Sequence, residues 1–481
     1  MNVTQRMPEP KPESVPQKEA FRDSIGMIDK SGNRVWIYPR KPSGTYHSWR
    51  VVTALVLLVI LFGLPFVEVD GHPFVLFNVV ERKFILFGLA FWPQDFHLFA
   101  LTFLVLIVFV VLFTAVFGRV WCGWACPQTI FMEMVFRKIE YWIEGDGPQQ
   151  FKLDRAPMSA SKLFKKTGKH AVFIALSWLI GNTFLAYIIG IDQLFQIIRE
   201  PIGEHLVGFS FMAAFSLTFY GVFARFREQA CVYVCPYGRL QSVLLDKNSV
   251  VVAYDFVRGE PRGKIRKGTD RSGNGDCIDC GMCVQVCPTG IDIRNGTQME
   301  CVNCTACIDA CDHVMKTVGK PPRLIRYSSV NQIAEKLKFQ ITPRIIGYTG
   351  LFSALLILSV LLLANRTNIE TTVLRAKGAT YQLMPDGNVR NVYTAKFVNK
   401  TFEEIPIRLE VLDVPATVTV IGQDRLLLKP DELMEATLII DIPQSSLTVP
   451  HRKINIGIYR GDREISREET SFVGPGRKKG S

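Results

Sequence analysis

Cysteine is missing from the last 170 of the 481 residues, although the chain contains twelve cysteines. An exported domain held by disulfides would use cysteines there, so their absence argues against a disulfide framework. The first 50 residues are polar and lack an apolar core, so no cleavable signal peptide is predicted. A strand-flanked G-x-G-x-x-G segment is also missing, and with it the usual nucleotide or flavin fingerprint. The chemistry of the chain therefore has to be sought in its cysteines and its apolar segments.

Charged residues are missing from five apolar stretches that reach or approach the length needed to cross about 30 Å of hydrocarbon. A single stretch of this kind could be a buried helix of a soluble protein, but five together predict a polytopic α-helical membrane protein. A sixth stretch, 74–92, is interrupted by Glu81, Arg82 and Lys83, and we expect it to lie at the membrane interface. The predicted spans are residues 51–67, 98–117, 171–190, 206–224 and 345–364.

Lysine and arginine are distributed unevenly between these spans. The segments 1–50, 118–170 and 225–344 contain 36 of them, whereas the loops 68–97 and 191–205 contain 3. Positive charge accumulates on the cytoplasmic side of a membrane, so the three basic segments are predicted to be cytoplasmic and residues 365–481 periplasmic. The net charge of +12 thus has a membrane explanation, and no nucleic-acid partner is expected. The predicted location is the bacterial inner membrane.

All twelve cysteines fall into short-spaced groups, which is typical of metal ligands. Cys277-x2-Cys280-x2-Cys283-x3-Cys287-Pro288 is followed by Cys301-x2-Cys304-x2-Cys307-x3-Cys311. This pattern is typical of bacterial ferredoxins with two 4Fe–4S clusters, in which the fourth cysteine of each run serves the other cluster. It predicts an α+β ferredoxin core over 270–318. Paired structural zinc sites are the alternative, which eight cysteines in this spacing disfavour.

The ligand sets follow from the reach of each loop. Three cysteines in a tight loop hold one cluster, and the fourth is expected to begin the next helix and to point back to the partner cluster. The first cluster is therefore predicted to be held by Cys277, Cys280, Cys283 and Cys311, and the second by Cys301, Cys304, Cys307 and Cys287.

Two Cys-x3-Cys-Pro segments follow the second and fourth spans. Cys122 and Cys126 precede Pro127, and Cys231 and Cys235 precede Pro236. Residues four apart share a helix face, so four thiols would converge below the membrane surface if the two segments pack together. Such a site suits Cu(I), another cluster or zinc, and the alternative is a pair of buried structural thiols. We predict a copper-handling thiol site there.

Short alternating strands and turn signals replace the apolar runs after residue 364. The predicted strands number six or seven and indicate a periplasmic β-sandwich of the immunoglobulin type, acting as a docking module. The tail 474–481 is predicted to be disordered. The strand candidates are 372–374, 392–398, 407–411, 417–421, 436–442 and 454–459.

These features together resemble the FixG/RdxA/CcoG family of membrane polyferredoxins, accessory proteins of cbb-type cytochrome c oxidase. The resemblance covers most of the chain. Its most selective parts are the Cys-x3-Cys-Pro segments and Arg258-Gly-Glu-Pro-Arg262. It also includes Gly118–Thr129, Ile143–Asp146, Tyr254-Asp255, Gly275–Cys280, Pro288–Asp292 and Cys307–Asp312.

The resemblance implies an oxidoreductase that passes electrons through two 4Fe–4S clusters and reduces Cu(II) to Cu(I) for the copper centre of the oxidase. Membrane lipid, a cytoplasmic electron-donor protein, copper-transport factors and oxidase assembly factors would be its partners. One alternative is a quinol-linked electron-transfer subunit, for which the sequence shows no quinone site. Another is an assembly scaffold whose clusters serve folding alone. The oligomeric state does not follow from the sequence.

Overall fold

A computed structural model describes residues 34–69, 71–79, 83–265, 273–376, 378, 380–422, 426–430 and 432–475. Most of the predicted N-terminal segment, residues 1–33, lies outside the described residues, as do residues 476–481 of the predicted tail. The chain divides into two compact units. Described residues of the first unit come from 34–63, 103–185 and 195–355, and those of the second come from 64–102, 186–194 and 356–475.

Five helices in the described part of the chain are long and apolar enough to span a membrane. Each overlaps one predicted apolar run, so the polytopic helical architecture is confirmed. The third helix begins eleven residues before its apolar run because Ser159 Oγ accepts a hydrogen bond from the backbone N–H of Lys162 (3.2 Å) and caps a polar first segment. The five spans are Thr45–Phe66, Phe96–Phe117, Ala160–Ile189, Ile202–Phe226 and Pro343–Ala364.

The interrupted apolar stretch 74–92 forms an antiparallel sheet in the second unit. Its strands are Val75–Asn78, Lys83–Leu86 and Leu89–Phe91. Phe87 and Gly88, at φ values of 53° and 74°, make the tight turn that joins the last two strands. A small core forms where Leu76, Ile85 and Ala90 pack with Phe402. The position of this sheet at a membrane interface stays a prediction.

The ferredoxin part lies in the first unit and has the predicted α+β composition. Strands Val251–Tyr254 and Ile325–Ser328 pair antiparallel, with Val251 opposite Ser328. Helices Met282–Gln285 and Ala306–Thr317 follow the two cysteine loops. Its core is formed by buried Ile308, Met315, Leu324 and Ile325 together with several of the cysteines.

The remaining helices of the first unit connect the spans to the ferredoxin part. Val120–Trp124 and Pro127–Thr129 follow the second span, and the fourth span is followed by the π-helical turn Ala230–Val234. The other segments are the π-helix Ile130–Phe136 and the α-helices Arg137–Ile143, Gly147–Arg155, Pro236–Leu244, Phe256–Gly259 and Val330–Ala334.

The C-terminal part is a sandwich of two antiparallel sheets, as predicted. One sheet has the order Thr417–Val420, Leu433–Pro443, Asn388–Asn399 and Ile369–Arg375, with Gln382–Leu383 added beside Asn388–Asn399. The other has the order Leu426–Leu428, Ile405–Val411, His451–Arg460 and Arg463–Val473. Fully buried side chains of Tyr393, Phe397 and Phe472 fill the space between them.

Three strands of the sandwich are absent from the sequence-based candidates. Gln382–Leu383 and Leu426–Leu428 are only two and three residues long. Arg463–Val473 lies at a sheet edge and exposes much of its length, so it has charged residues where an inner strand has aliphatic ones. Charged side chains on an edge strand prevent it from pairing with a strand of another molecule. Because these charges also interrupt the hydrophobic alternation, the sequence pattern did not predict this strand.

Candidate metal centres

The two ferredoxin runs fold into loops with the same backbone pattern. In the first loop Asp279 and Gly281 have positive φ values of 51° and 68°. In the second, Asn303 and Thr305 occupy the equivalent positions with 53° and 62°. These left-handed residues flank the middle cysteine of each loop and curl the chain, so that successive thiols turn toward one point.

The eight ferredoxin cysteines fall into two groups according to the cavity that they border. The first cavity is bordered by Cys277, Cys280, Cys283 and Cys311. The second is bordered by Cys287, Cys301, Cys304 and Cys307, with Cys283 also at its edge. These two groups are the ligand sets that the sequence predicts. Apart from these thiols the walls are largely aliphatic, including Ile291, Ile293 and Ile325.

The expectation that the fourth cysteine begins a helix is wrong. Cys311 lies inside the helix Ala306–Thr317, and Cys287 comes just after the helix Met282–Gln285. The helix carries the thiol to the other cavity because Cys311 follows Cys307 by one turn, so no helix start is needed at that point.

The donor set fits iron–sulfur clusters. All twelve cysteines of the chain are free of disulfide bonds. Burial raises the pKa of Cys283 and of Cys301 to about 12, and that of Cys304 to about 11. These groups are therefore protonated thiols until a metal displaces the proton, and cluster binding is coupled to proton release.

The two Cys-x3-Cys-Pro segments have matching backbone structure. We call residues 121–127 the first corner and residues 230–236 the second corner. Cys126 N donates to Trp121 O (3.0 Å) in the first, and Cys235 N donates to Ala230 O (2.9 Å) in the second. Each corner thus closes with a hydrogen bond across five residues, and each then starts a helix at its proline.

The two corners pack together. Gln241 is fully buried in the helix that follows the second corner, and its Nε2 donates to Cys122 Sγ of the first (3.4 Å). Arg119, also buried, donates to the carbonyl oxygens of Gly238 and Met299. Sequence reasoning missed Gln241 and the role of Arg119; the only signal was a basic residue before the first corner.

The four corner thiols, Cys122, Cys126, Cys231 and Cys235, form one group that we call the thiol quartet. Burial, together with the charges of Cys126, Cys122 and Cys235, raises the pKa of Cys231 to about 12. Burial likewise raises the pKa of Cys122 to about 11, against the hydrogen bond from Gln241. The pKa of Cys231 thus responds to the other three thiols, whereas their convergence on one metal stays a prediction.

The sulfur atoms of the quartet lie farther apart than three ligand atoms that bind a single metal ion. Among the described residues, only Glu200, Glu204 and His205 bring three potential ligand atoms within 4.8 Å of one another, and all three are partly or fully exposed. The thiols are thus close enough to act on one another but wider apart than the three thiolates around one zinc ion.

The first corner rests directly on the loop of the second cavity. Cys122 packs against the group formed by Val286, Val302, Cys304 and Ala306. A Cβ on Gly123 would lie 2.5 Å from Val302 O, so only glycine allows this approach. Nε1 of Trp124 donates to the hydroxyl of Tyr327 (3.0 Å), a residue of the ferredoxin sheet.

Comparison with known proteins agrees with this geometry. Residues 226–330 match a 4Fe–4S dicluster domain, residues 99–145 match a 4Fe–4S binding domain, and residues 359–475 match the Ig-like fold at the C-terminus of FixG, a putative oxidoreductase. The chain is 31% identical to nitrogen fixation protein FixG of Rhizobium meliloti over 85% of this chain and 86% of that protein. It is 34% identical to protein RdxA of Cereibacter sphaeroides, over 82% and 89%.

The chain belongs to the FixG/RdxA family. Protein RdxB of Cereibacter sphaeroides, 33% identical over 80% of this chain and 86% of that protein, is a further relative. The chain is therefore an iron–sulfur electron-transfer protein of this family, anchored in a membrane by apolar helices. The matched region 99–145 includes Cys122 and Cys126, so the first corner also falls within a 4Fe–4S binding domain.

Proposed function

We propose that this chain takes up single electrons on two 4Fe–4S clusters and uses them to reduce Cu(II) to Cu(I) for assembly of the copper centre of a cbb-type cytochrome c oxidase. In this proposal the ferredoxin part and the thiol quartet are cytoplasmic, and the sandwich is periplasmic. Copper-transport factors and oxidase assembly factors would be its partners. The family membership supports the electron transfer, and the copper step is our inference.

The observation that carries the proposal is the contact between Cys122 and the loop of the second cavity. Cys122 packs against the group of Val286, Val302, Cys304 and Ala306, and two members of that group, Val302 and Cys304, also border the second cavity. An electron on this side of the ferredoxin part would have a short route to the quartet. No comparable contact is needed if the quartet serves only to hold the corners in shape.

We assign the cluster ligands by the cavities that the cysteines border. Cys277, Cys280, Cys283 and Cys311 would hold one cluster, and Cys287, Cys301, Cys304 and Cys307 the other. When bound, the clusters supply reversible one-electron storage. The chain supplies largely aliphatic walls that limit the access of water, and it supplies the route to the quartet.

The chemistry of copper suits the quartet as the exit point. Cu(II) prefers nitrogen and oxygen ligands, whereas Cu(I) is soft and prefers thiolates. A thiol site beside an electron carrier therefore binds the product of the reduction more tightly than the substrate. The openness of the quartet is compatible with Cu(I), which a pair of thiolates can hold.

A second candidate for the quartet is a third 4Fe–4S cluster. The match of residues 99–145 to a 4Fe–4S binding domain favours it, and so does the wide spacing of the thiols. The thiolates around a cubane lie farther apart than those around one ion. In that case the quartet would extend the electron path, and Cu(II) would be reduced elsewhere on the chain.

The first test uses Cys126→Ser and Cys235→Ser in the full-length chain, purified anaerobically in detergent. Serine keeps a hydroxyl but removes the soft ligand, so both variants should keep about eight iron atoms per chain and lose retention of Cu(I). Reduction of Cu(II) after loading with dithionite should fall at least about tenfold. Val232→Ala, a change between the two cysteines of the second corner, is the control and should behave as the parent.

Three results would contradict the copper assignment. If both variants reduce and hold copper as the parent does, the quartet is structural. If the parent contains about twelve iron atoms and either variant contains about eight, the quartet holds a third cluster. An assembly scaffold predicts a third pattern, in which dithionite-loaded parent protein reduces no copper at all.

A further inference from the structure

A cavity of about 420 Å³ lies in the first unit, between the beginning of the third span and the end of the fourth. Lys166, Lys169 and His170 of the third span form one wall, and Tyr220, Gly221 and Ala224 of the fourth form another. Its volume lies in the range of small-molecule sites in proteins. None of the sequence patterns indicated it, because its walls come from segments far apart in the chain.

The cavity lies at the level where apolar and charged residues meet. In the third span, His170 is the last polar residue before the uncharged stretch that begins at Ala171. In the fourth span, Tyr220 and Gly221 lie just before the uncharged stretch ends at Ala224. A ligand that enters between these helices from the membrane would keep its apolar part in the hydrocarbon and bring its polar part to the charged wall.

Most of the charged wall is neutralised by its own ion pairs, although Arg225 also lines the cavity and forms no ion pair with the other described residues. Lys169 Nζ lies 2.9 Å from Glu144 Oε1, and Lys166 Nζ lies 3.0 Å from the same oxygen. Arg227 pairs with the buried carboxylate of Glu140. Burial alone would raise the pKa of Glu140, but Arg227, Lys169 and Arg137 hold it below its usual value. A phosphate head group would have to displace these carboxylates, whereas a neutral ligand would not.

Proton-accepting groups line the same cavity. The hydroxyl of Tyr220 and Nδ1 of His170 lie 2.9 Å apart. Tyr38 OH donates to Asp154 Oδ2 (2.6 Å), and the same carboxylate pairs with Lys166. An imidazole and a carboxylate, each bridged to a phenol, are therefore placed around one space. The imidazole can accept a proton from a hydroxyl ligand that is being oxidised. Against the effect of burial, hydrogen bonds from Lys166 and Tyr38 hold the pKa of Asp154 below its usual value, so its carboxylate stays ionised.

The cavity wall is continuous with the thiol quartet. Arg227 borders the cavity, and its carbonyl oxygen accepts from Gln128 Nε2 of the helix after the first corner (3.3 Å). One residue later, Glu228 O accepts from the backbone N–H of Cys231 (3.2 Å). Segment 227–231 thus joins the cavity directly to the second corner.

We propose that this cavity binds the head group of a membrane quinol, which donates the electrons. The proposal rests on the proposed electron-transfer function and replaces a cytoplasmic donor protein by a lipid-soluble one. Each quinol becomes a quinone by losing two electrons and two protons. The electrons pass singly to the two 4Fe–4S clusters and then reduce two Cu(II) to Cu(I). One proton passes to His170, and the other is released to water on the polar side of the cavity.

Gly221→Leu tests the site without touching a charged group. A Cβ at Gly221 meets no heavy atom within 4 Å, so the leucine enters the space of the cavity. Gly208→Leu, in the same helix and with equally open surroundings, is the matched control. His170→Phe is a second variant, which keeps a ring of similar size but removes the proton acceptor.

The probe is a short-tailed ubiquinone or menaquinone analogue, and the protein is the full-length chain with its clusters. Equilibrium binding should weaken at least about tenfold in Gly221→Leu and remain as in the parent in Gly208→Leu. The reduced analogue should bleach the visible absorption of the clusters in the parent but not in Gly221→Leu or His170→Phe. Dithionite should still bleach all three variants, and dithionite-driven copper reduction should be unchanged.

Three results would overturn the quinol site: no saturable binding of either analogue by the parent, binding unchanged in Gly221→Leu, or phospholipid rather than quinone released by that substitution. None of them affects the proposed copper function, which dithionite tests separately. Conversely, the parent protein could bind the quinol analogue and show bleached cluster absorption, yet reduce no Cu(II). That result would support the quinol site and contradict the copper step.

Discussion

At the scale of single residues, one helical turn separates two cysteines that border different cavities. Cys307 borders the second cavity and Cys311 the first, and both lie in the helix Ala306–Thr317. Four residues of helix rise by about 6 Å. The two cavities are therefore neighbours on the scale of one helical turn, and Cys283 borders both. Clusters held there would exchange electrons with each other faster than with a distant partner.

The crossed ligand sets predict a non-additive loss of iron. Cys277→Ser and Cys301→Ser should each remove about four iron atoms per chain, because each removes a ligand of its own cluster. The double variant Cys277→Ser/Cys311→Ser should lose no more iron than Cys277→Ser alone, because both residues serve the same cluster. The double variant Cys277→Ser/Cys287→Ser should lose about eight iron atoms, because it removes a ligand from each cluster. Iron analysis together with EPR of the reduced protein measures this. If all four cysteines of each run held the same cluster, the outcomes of the two double variants would be reversed.

At the scale of elements, the short helix Val120–Trp124 fixes the distance between the quartet and the ferredoxin part. It lies so close to the second loop that Gly123 has no room for a side chain, with Val302 O and Asn303 O at 2.5 and 2.7 Å from an added Cβ. Arg50 Nε donates to the carbonyl oxygen of Gly123 (3.0 Å) and holds it from the other side. The close approach is thus secured by a backbone contact and a buried cation.

Gly123→Ala should therefore destabilise the protein, although glycine to alanine in a helix usually stabilises it by about 1 kcal/mol. The added methyl group meets backbone atoms, so we expect a loss of about 1–3 kcal/mol and an altered EPR signal of the second cluster. Thermal unfolding in detergent and EPR measure the two effects. Gly168→Ala, where a Cβ meets nothing within 4 Å, should be neutral or stabilising. An unchanged melting temperature for Gly123→Ala would show that the contact can relax.

The same elements explain which features the sequence could predict. Spans and cluster loops depend on local signals, since an uncharged run and a Cys-x2-Cys-x2-Cys repeat each lie within about 20 residues. The contact of Gln241 with Cys122 joins residues 119 positions apart, and no local pattern encodes it. The cavity at Gly221 has the same origin, since its walls come from four separate segments. The sheet within 74–92 was missed because a hydrophobic run interrupted by charge fits a membrane-surface segment as well as it fits hairpins.

At the scale of the whole molecule, the chain combines two kinds of fold with different needs. The first unit has a cysteine-rich ferredoxin part and the thiol quartet, both of which require reduced thiols. The second unit includes a sandwich whose core is aliphatic and aromatic and which has no cysteine. This division suits a protein whose metal chemistry stays in a reducing compartment while the sandwich is exposed to an oxidising one.

Every proposed role therefore depends on which side of the membrane each part of the chain faces. The distribution of Lys and Arg residues predicts this orientation. With 36 Lys and Arg residues in three segments and 3 in the two loops, the basic segments should stay in the cytoplasm. A truncated chain fused after Arg262 should therefore give fluorescence with a green fluorescent protein and no activity with alkaline phosphatase. A fusion after Gly461, in the turn before the last strand, should give the opposite result. Reversing the charge bias supplies the control, because added lysines in the loop 191–205 should raise the fraction of inverted molecules. If the two fusions report the same side, Pro343–Ala364 does not cross the membrane, and the sandwich shares a compartment with the thiol quartet.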